Sequence, residues 1–424
     1  MLQRISDIIW GPFTPFVFAV TGLYFIIRLK FFSWHNTVYI FRNTLGALFN
    51  KKTAGGLSSF SAMATALGGT IGVGNTVGVA SAVISGGLGA VFWMIVAAFF
   101  GMAIKYAEIY LAVKYKNSNS GGAVYYIEKG LNCPSLALIF AAVCVLTSFG
   151  MGNMAQSDAA SQYISRTFHL SPFLCGIIFA LITFYMIKGG IRRIASVSAI
   201  MVPVMAILYV LAGIIIIVIN YRNIPSAFCE IFRCAFDFSG VRGGFIGFFL
   251  SDAIRYGFSR GLFSNEAGMG SAPTAHCASA ETNPKKQAVW GVFEVFCDTV
   301  AVCGITALAI AVSGKKAETN PSALIYNIFT DIFGFSGGAF LSISIAFFAL
   351  ASIFCWYIYG NEALKYITKN KFVQSVYAVL FCYAVFLGAV AGTDTVWNIS
   401  DILNGIMAFI NIFVLVMLRC QVKM

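Results

Sequence analysis

The sequence predicts an all-α polytopic membrane protein. It is expected to have eleven transmembrane helices, ten of them in two inverted five-helix repeats, with one extra helix at the N-terminus. Three observations carry this. The chain of 424 residues is 59% hydrophobic and only 10% charged, with mean hydropathy +0.83, where soluble globular proteins have about 25% charged residues. Apolar stretches near the roughly 20 residues a membrane helix needs recur along the whole chain, and nothing resembles a soluble appendage. The lysines and arginines between them alternate between many and few, as positive-inside bias requires.

The spans follow in order. Segment a covers about 11–31 and opens with Gly11-Pro12. Residues 36–50 alternate Tyr39, Phe41 and Leu45 with polar residues, as a short interfacial helix does. Segment b (57–84) is rich in glycine. Segment c (88–114) carries Phe92-Trp93-Met94 and ends in Lys105, Glu108 and Lys114. A polar loop is expected over 116–131. Segment d (135–166) is apolar to Phe149, then small and polar through Gly152, Asn153, Gln156, Ser157 and Asp158. Segment e (172–188) is separated by Gly189-Gly190 and Arg192-Arg193 from segment f (194–219). A long connection, 220–244, holds Arg222, Arg233 and Arg242. Segment g (245–275) is the second glycine-rich span. Segment h (287–313) follows Asn283-Pro284-Lys285-Lys286. A short surface helix is expected over 321–334, then segments i (338–367), j (372–392) and k (395–419).

Assigned to alternating sides, 19 basic residues fall on one side and 7 on the other; the poor side has only Arg4, Arg166, Arg222, Arg233, Arg242, Lys315 and Lys316. The rich side is cytoplasmic. The chain is therefore expected in the cell membrane as a multi-pass protein, N-terminus outside and C-terminus cytoplasmic, as a single transmembrane domain over 1–424. No cleaved signal is expected. Segment a (11–31) is the extra helix. Segments b–f (57–219) and g–k (245–419) are five each, and an odd number makes the second set enter from the opposite side. That is an inverted repeat with b and g as its first helices.

Those two helices are also the poor ones. In Ala66-Leu67-Gly68-Gly69-Thr70-Ile71-Gly72-Val73-Gly74-Asn75 each glycine costs roughly 1 kcal/mol relative to alanine in a helix interior. Non-helical backbone survives at membrane depth only when buried in protein or lining a cavity. The stretch Gly257-Phe258-Ser259-Arg260-Gly261 through Ser271 echoes it: Asn75, Gly78, Ser81 and Ala82 recur in the spacing of Asn265, Gly268, Ser271 and Ala272. Paired glycine-interrupted helices at equivalent places point to the binding site of a secondary transporter. Freed amides of Gly72, Val73 and Gly74 suit a carboxylate. Freed carbonyls near Gly257, Phe258, Ser259 and Gly261 suit an ammonium group, and both suit a zwitterion.

Other classes fit poorly. No basic stripe with interleaved aromatics marks a nucleic-acid binder. There is no HExxH, no GxSxG and no cluster of metal-ligating side chains, so no catalytic residue and no enzyme is predicted. The 11 cysteines are scattered among apolar segments; Cys229 and Cys234 share one connection, and local geometry decides whether they pair. His35, His169 and His276 lie near span ends, so no histidine proton relay is expected. Of the charges inside spans, Asp252 and Arg255 are spaced to pair. Arg260 is placed to lock a gate with Glu266 or Asp298.

Longer motifs carry a resemblance. Thr70-Ile71-Gly72-Val73-Gly74-Asn75-Thr76-Val77-Gly78-Val79-Ala80 and Gly86-Gly87-Leu88-Gly89-Ala90-Val91-Phe92-Trp93-Met94 resemble the alanine or glycine:cation symporter family. So do Gly121-Gly122-Ala123-Val124-Tyr125-Tyr126-Ile127, Arg260-Gly261-Leu262-Phe263-Ser264-Asn265-Glu266-Ala267-Gly268, Asp298-Thr299 and Trp356-Tyr357-Ile358-Tyr359-Gly360. That family is similar in architecture to the leucine transporter fold of the amino acid-polyamine-organocation superfamily, with one additional N-terminal helix. Leu88 and Ala123 stand where the family usually has proline. Ala351-Ser352 stands where it usually has Ser-Thr, which removes one hydroxyl from a cation position.

The resemblance implies sodium-coupled symport of small neutral amino acids, alanine or glycine, into the cell by alternating access. Helices b, c, g and h would rock against the rest. Sodium would be co-transported, the amino acid would be the small-molecule partner, membrane lipid would surround the chain, and no obligatory protein partner is implied. The residues leave open a proton in place of sodium and glutamine in place of alanine; a channel or a membrane-embedded enzyme is the remote alternative. Substrate positions would be Thr70, Gly72, Val73, Gly74, Asn75, Gln156, Gly257, Phe258, Ser259, Gly261 and Trp356. Sodium positions would be Gly68, Ile71 and Ser352, with Asn75 and the carbonyl of Thr70 making a second. Trp356 lies four residues after Ser352, on the same helix face, and would limit the pocket to a small substrate.

Overall fold

The computed structural model describes residues 9–11, 13–31, 37–47, 57–117, 120–237, 251–315, 318–391 and 394–423. Arg4, Lys51, Lys52, Arg242, Lys316 and the first residues expected for segment g (245–250) lie outside them. Among the described residues the structure is helical, apart from one isolated bridge between Leu57 and Ser279.

Segment a is α1 (Phe13–Arg28), followed by the short α2 (Thr37–Asn43). Segment b is two helices, α3 (Ser59–Thr70) and α4 (Val77–Gly86), and segment c is α5 (Gly89–Tyr115). The stretch expected as a polar loop holds α6 (Ala123–Leu131), because Val124, Tyr126 and Ile127 share a face that is buried. Segment d is α7 (Pro134–Phe149), a π-helical turn over Gly150–Met154, and α8 (Ala155–Phe168). Segments e and f are α9 (Pro172–Lys188) and α10 (Gly190–Ile219). The connection after them contains α11 (Ile224–Ala235), which carries both Cys229 and Cys234 as free thiols.

Segment g is α12 (Asp252–Asn265) and α13 (Pro273–Cys277). Segment h is α14 (Pro284–Val295), a π-helical stretch over Phe296–Cys303, and α15 (Gly304–Ser313). The short helix expected at 321–334 and segment i join as α16 (Pro321–Ile367), turning sharply at Gly334, which has φ +60°. Its first part is no surface helix: Leu324, Ile325, Ile328 and Phe329 are buried, and Phe329 stacks on Tyr209 of α10. Segments j and k are α17 (Lys371–Ala391) and α18 (Asp394–Met417). Seven helices among the described residues are long and apolar enough to cross a membrane; Phe13–Arg28, Val77–Gly86 and Pro172–Lys188 are apolar but shorter.

Local chemistry sets many boundaries. Ser58, Ser171, Asn283 and Asn320 each accept a hydrogen bond from a backbone amide two or three residues on. Such residues satisfy donors that a helix start leaves free. In three of the four a proline follows at the first helical position, where its missing amide costs nothing.

The two broken segments run antiparallel. Ala280 N–H donates to the Leu57 carbonyl at 2.9 Å. A Cβ on Gly74 would lie 3.6 Å from the Ser264 Cα, and one on Gly86 would lie 2.9 Å from the Asp252 carbonyl oxygen. As one chain number rises the other falls, so the breaks meet at the same level. At the end near Leu57, Lys116 Nζ donates to the carbonyls of Ser279 (3.0 Å) and Glu281 (2.7 Å), and Lys114 donates to Gln421.

Helix α12 packs parallel to α5 through missing side chains. A Cβ on Gly257 would meet the Ala90 carbonyl oxygen at 2.5 Å and Trp93 Cβ at 2.8 Å, and one on Gly261 would meet Met94 Cγ at 3.2 Å. Small residues at helix interfaces let backbones approach this closely in membranes. Gly257→Val is therefore expected to cost about 1–3 kcal/mol through overpacking, seen as a lower thermal unfolding midpoint in detergent. Gly304→Ala, whose new methyl would meet no atom nearer than 3.7 Å, is expected to leave the midpoint unchanged or slightly raised.

Candidate functional site

The site forms where both helices of segments b and g are interrupted. Helix α3 ends at Thr70, whose hydroxyl donates to the Leu67 carbonyl, and Ile71 is already extended. The chain then makes a single 3₁₀ turn over Val73–Asn75. Amides exposed by this break are bonded by side chains. Gly72 N–H donates to Asn75 Oδ1 at 2.9 Å, and Val73 N–H donates to Gln156 Oε1 at 3.1 Å. Glycine at 72 leaves Gln156 in this place: a Cβ there would lie 2.8 Å from Gln156 Oε1 and push the amide aside.

Gln156 reaches the break from α8, just after the π turn of segment d. Its Nε2 donates at 3.2 Å to the carbonyl of Met151, inside that π turn. π turns of this kind recur at functional sites. The same turn presents Gly152, whose missing side chain gives the Trp356 ring its place; any Cβ would collide with the indole. Trp356 is 0% exposed and donates from Nε1 to Glu266 Oε1 at 2.9 Å. Gln156 thus covers the Gly72–Val73 backbone, and Trp356 lies against Gly152, four residues before it in segment d.

The second break lies further along than expected. Gly257, Phe258, Ser259 and Gly261 sit inside unbroken α12, where their carbonyls belong to the helix and Phe258 stacks near Trp93 and Phe100. These glycines serve packing against α5. The interruption spans Glu266–Ala272, with left-handed backbone at Glu266 (φ +52°), Gly268 (+88°) and Gly270 (+77°). Side chains again bond its backbone. Gly270 N–H donates to Glu108 Oε1 (2.8 Å), the Gly268 carbonyl accepts from Asn411 Nδ2 (2.9 Å), and Ala267 N–H donates to Asn265 Oδ1 (3.0 Å). Ser271 Oγ donates to Glu266 Oε2 at 2.5 Å.

The oxygens expected to hold cations divide into two places. Ser352 Oγ donates to the Gly69 carbonyl at 3.1 Å, one residue from Gly68, whose own Cα faces Ala351. Asn75 turns its oxygen onto Gly72 and its Nδ2 onto Asp298 Oδ1, at 2.7 Å. Asp298 comes from the π stretch of segment h. Its Oδ2 accepts from Ser264 Oγ (2.9 Å) and Thr299 Oγ1 (2.8 Å). Asp298, Ser264 and Thr299 are all buried. The sequence flagged Asp298 as half of a gate and, with Thr299, as part of a family motif, but not at a cation position. Arg260, the other half, instead faces Asp401 at 3.9 Å and the ring of Phe263.

Lys105, Glu108 and His276, expected at span ends, are fully buried. Lys105 Nζ lies 3.2 Å from Glu294 Oε1, and His276 Nε2 lies 2.7 Å from Glu294 Oε2.

Comparisons with known proteins show the family and the fold of the chain. The family model described as the sodium:alanine symporter family matches residues 1–424. The sodium/alanine symporter AgcS of Methanococcus maripaludis is 38% identical over 99% of this chain and 94% of its own. The probable sodium/glutamine symporter GlnT of Bacillus subtilis is 32% identical over 97% of this chain and 87% of its own. Among solved structures, a Na+-coupled sialic acid symporter in its substrate-bound outward-open state superposes with TM-score 0.61 at 12% identity. It covers 97% of this chain and 86% of its own. The structural neighbours are transporters of the leucine transporter fold.

Asn75 makes the bonds that hold the first break to Asp298. Asn75→Ala is expected to lower stability by about 2–4 kcal/mol, since it leaves a buried amide and weakens the partners of a buried carboxylate. Thermal unfolding in detergent measures it. Thr76→Ser, which keeps the hydroxyl that donates to the Val73 carbonyl, is expected to stay within about 1 kcal/mol, the range of ordinary tolerated substitutions.

Proposed function

The chain belongs to the sodium:alanine symporter family, whose members are transporters and not enzymes, and from that premise we propose that it carries alanine, with glycine as a smaller substrate, into the cell together with sodium. The observation that carries this reading is the Val73 amide bonded by the buried Gln156 at the first break, with the buried Trp356 seated on Gly152, four residues before Gln156. A zwitterion needs a donor for its carboxylate and an acceptor for its ammonium group. In this reading the substrate carboxylate takes the Val73 and Gly72 amides at a site with the character of a helix N-terminus. Gln156 Oε1, released from Val73, then accepts from the ammonium. One exchange satisfies both ends.

Trp356, held by Glu266 and seated on Gly152, walls the space beside the Cα of the substrate. A full indole at that place favours a methyl or hydrogen side chain over a longer one. Thr70 and Gly74 complete the wall on the side of the first break. Gly257, Phe258, Ser259 and Gly261 set the position of α12 by packing rather than by touching substrate.

Sodium, as a hard cation, prefers oxygen ligands, as calcium and magnesium do. The first proposed position uses Ser352 with the carbonyls of Gly68 and Ile71. The second uses the Thr70 carbonyl and Asn75 and gains Asp298, Ser264 and Thr299. Both hydroxyls now donate to Asp298, yet each also has lone pairs to offer. A cation at Asp298 neutralises a buried carboxylate and draws b, g and h together beside the substrate. It thereby favours the conformation that binds alanine, which is what coupling requires.

The proposed architecture is eleven spans, with 57–219 and 245–419 as inverted repeats, in the cell membrane with the C-terminus cytoplasmic. The antiparallel pairing of segments b and g supports it.

Uptake of labelled alanine into proteoliposomes is expected to rise at least tenfold with an inward sodium gradient. Gln156→Ala and Trp356→Ala are expected to reduce it by a similar factor. Asp298→Asn is expected to lose the thermal stabilisation that sodium gives the parent. Uptake that ignores sodium and follows an acidic exterior would replace sodium by a proton. Glutamine strongly outcompeting alanine would reassign the substrate.

A further inference from the structure

Beneath the second break lies a group of charges of which only Glu266 touches the proposed substrate site, through its bond to Trp356. Glu294 of α14 sits between Lys105 of α5 (3.2 Å) and the imidazole of His276 of α13 (2.7 Å). Glu108 and Glu266 lie close by, and among the described residues neither forms an ion pair. All five side chains are fully buried. Three carboxylates thus face one lysine and one imidazole. Buried charge is costly in a membrane protein unless it is balanced, so this group favours taking up positive charge.

His276 is the place built to receive it. Its Nε2 faces Glu294. Its Nδ1 lies 2.9 Å from the side-chain amide of Gln287. With Gln287 Nε2 donating, Nδ1 accepts and the ring is neutral. Gln287 Oε1 is then left buried with no hydrogen-bond partner among the described residues. Rotating the amide by half a turn swaps its two ends, which have nearly the same shape. Oε1 then accepts from a protonated Nδ1, and the imidazolium donates on both sides, to Gln287 and to Glu294. The side chain is thus bracketed by one fixed acceptor and one reversible one.

We propose that His276, Gln287 and Glu294 form a buried proton-binding site, apart from the substrate and sodium positions, whose loading is felt by transport. The titratable groups that face it are Lys105 and Glu108 from α5, Glu266 from the second break, Cys277 beside it on α13, Cys297 and Asp298 from the π stretch of segment h, and Cys355 and Tyr359 from α16. The proton enters at Nδ1, and no other bond is made or broken. Loading strengthens the hold of α13 on α14, because a hydrogen bond with a charged donor is roughly twice as strong as a neutral one. Helix α13 continues directly from the second break, so its hold bears on the motion of that break.

The chain has 3 histidines, so protein labelled with nitrogen-15 at histidine gives few signals. The one from His276 is identified by its loss in His276→Gln. Followed in detergent without substrate over roughly pH 5 to 9, that signal is expected to change as the ring takes up its proton. Gln287→Glu is expected to raise its midpoint by about one pH unit or more, and Gln287→Leu to lower it, since a nearby acceptor or negative charge favours the charged ring. A signal that stays constant over that range, or a midpoint unmoved by Gln287→Glu, overturns the site. The link to transport rests on the proposed function and is read separately. The pH profile of sodium-driven alanine uptake is expected to move upward with Gln287→Glu. A profile that ignores Gln287→Glu while the imidazole midpoint moves overturns the link and leaves sodium-driven uptake untouched.

Discussion

A membrane helix that stops midway leaves amides and carbonyls with no water to bond, and the rest of this structure is arranged to answer that. At the first break Asn75 and Gln156 take the amides of Gly72 and Val73. At the second, Glu108, Asn411 and Asn265 take Gly270, Gly268 and Ala267. The side chains come from α5, α8 and α18 as well as from the breaks themselves. Each of those helices is thereby fixed in register against the interrupted pair. Missing intrahelical bonds become the contacts that tie distant segments together, and they do so where a polar solute can exchange for them.

Both π-helical stretches serve the same place. The turn at Gly150–Met154 sets Gly152 under Trp356 and lets Gln156 bond Met151, five residues back. The stretch at Phe296–Cys303 brings Asp298 to Asn75 and Ser264. Each adds a residue to its helix and turns side chains that an ordinary α-helix would aim elsewhere.

Much of this was legible from the residues. The first helix breaks within the expected glycine-rich stretch, and Gln156 and Ser352 bond its backbone. The second break was misplaced because a sequence does not distinguish two uses of glycine. Gly257 and Gly261 are small so that α5 can approach; Gly268 and Gly270 are glycine because their φ is positive. Asp298 was hard to weigh because its partners lie 223 and 34 residues away. The short helices 123–131 and 224–235 hid among polar residues, since only one narrow face of each is buried. His276 looked peripheral from its distance to the end of a span. It is interior because α13 is only five residues long and is enclosed by its neighbours.

The glutamine that occupies the Val73 amide has a consequence of its own. Any newcomer to that amide competes with an oxygen that is tethered and therefore present at very high local concentration. Water and simple halides offer too little to evict it. A molecule succeeds only if it brings, in the same small body, an acceptor for the backbone and a donor for the oxygen it dislodges. Under the proposed mode of binding, the side chain would thus act as a resident rival that sets an entry threshold, screening for chemical bifunctionality before size is ever tested.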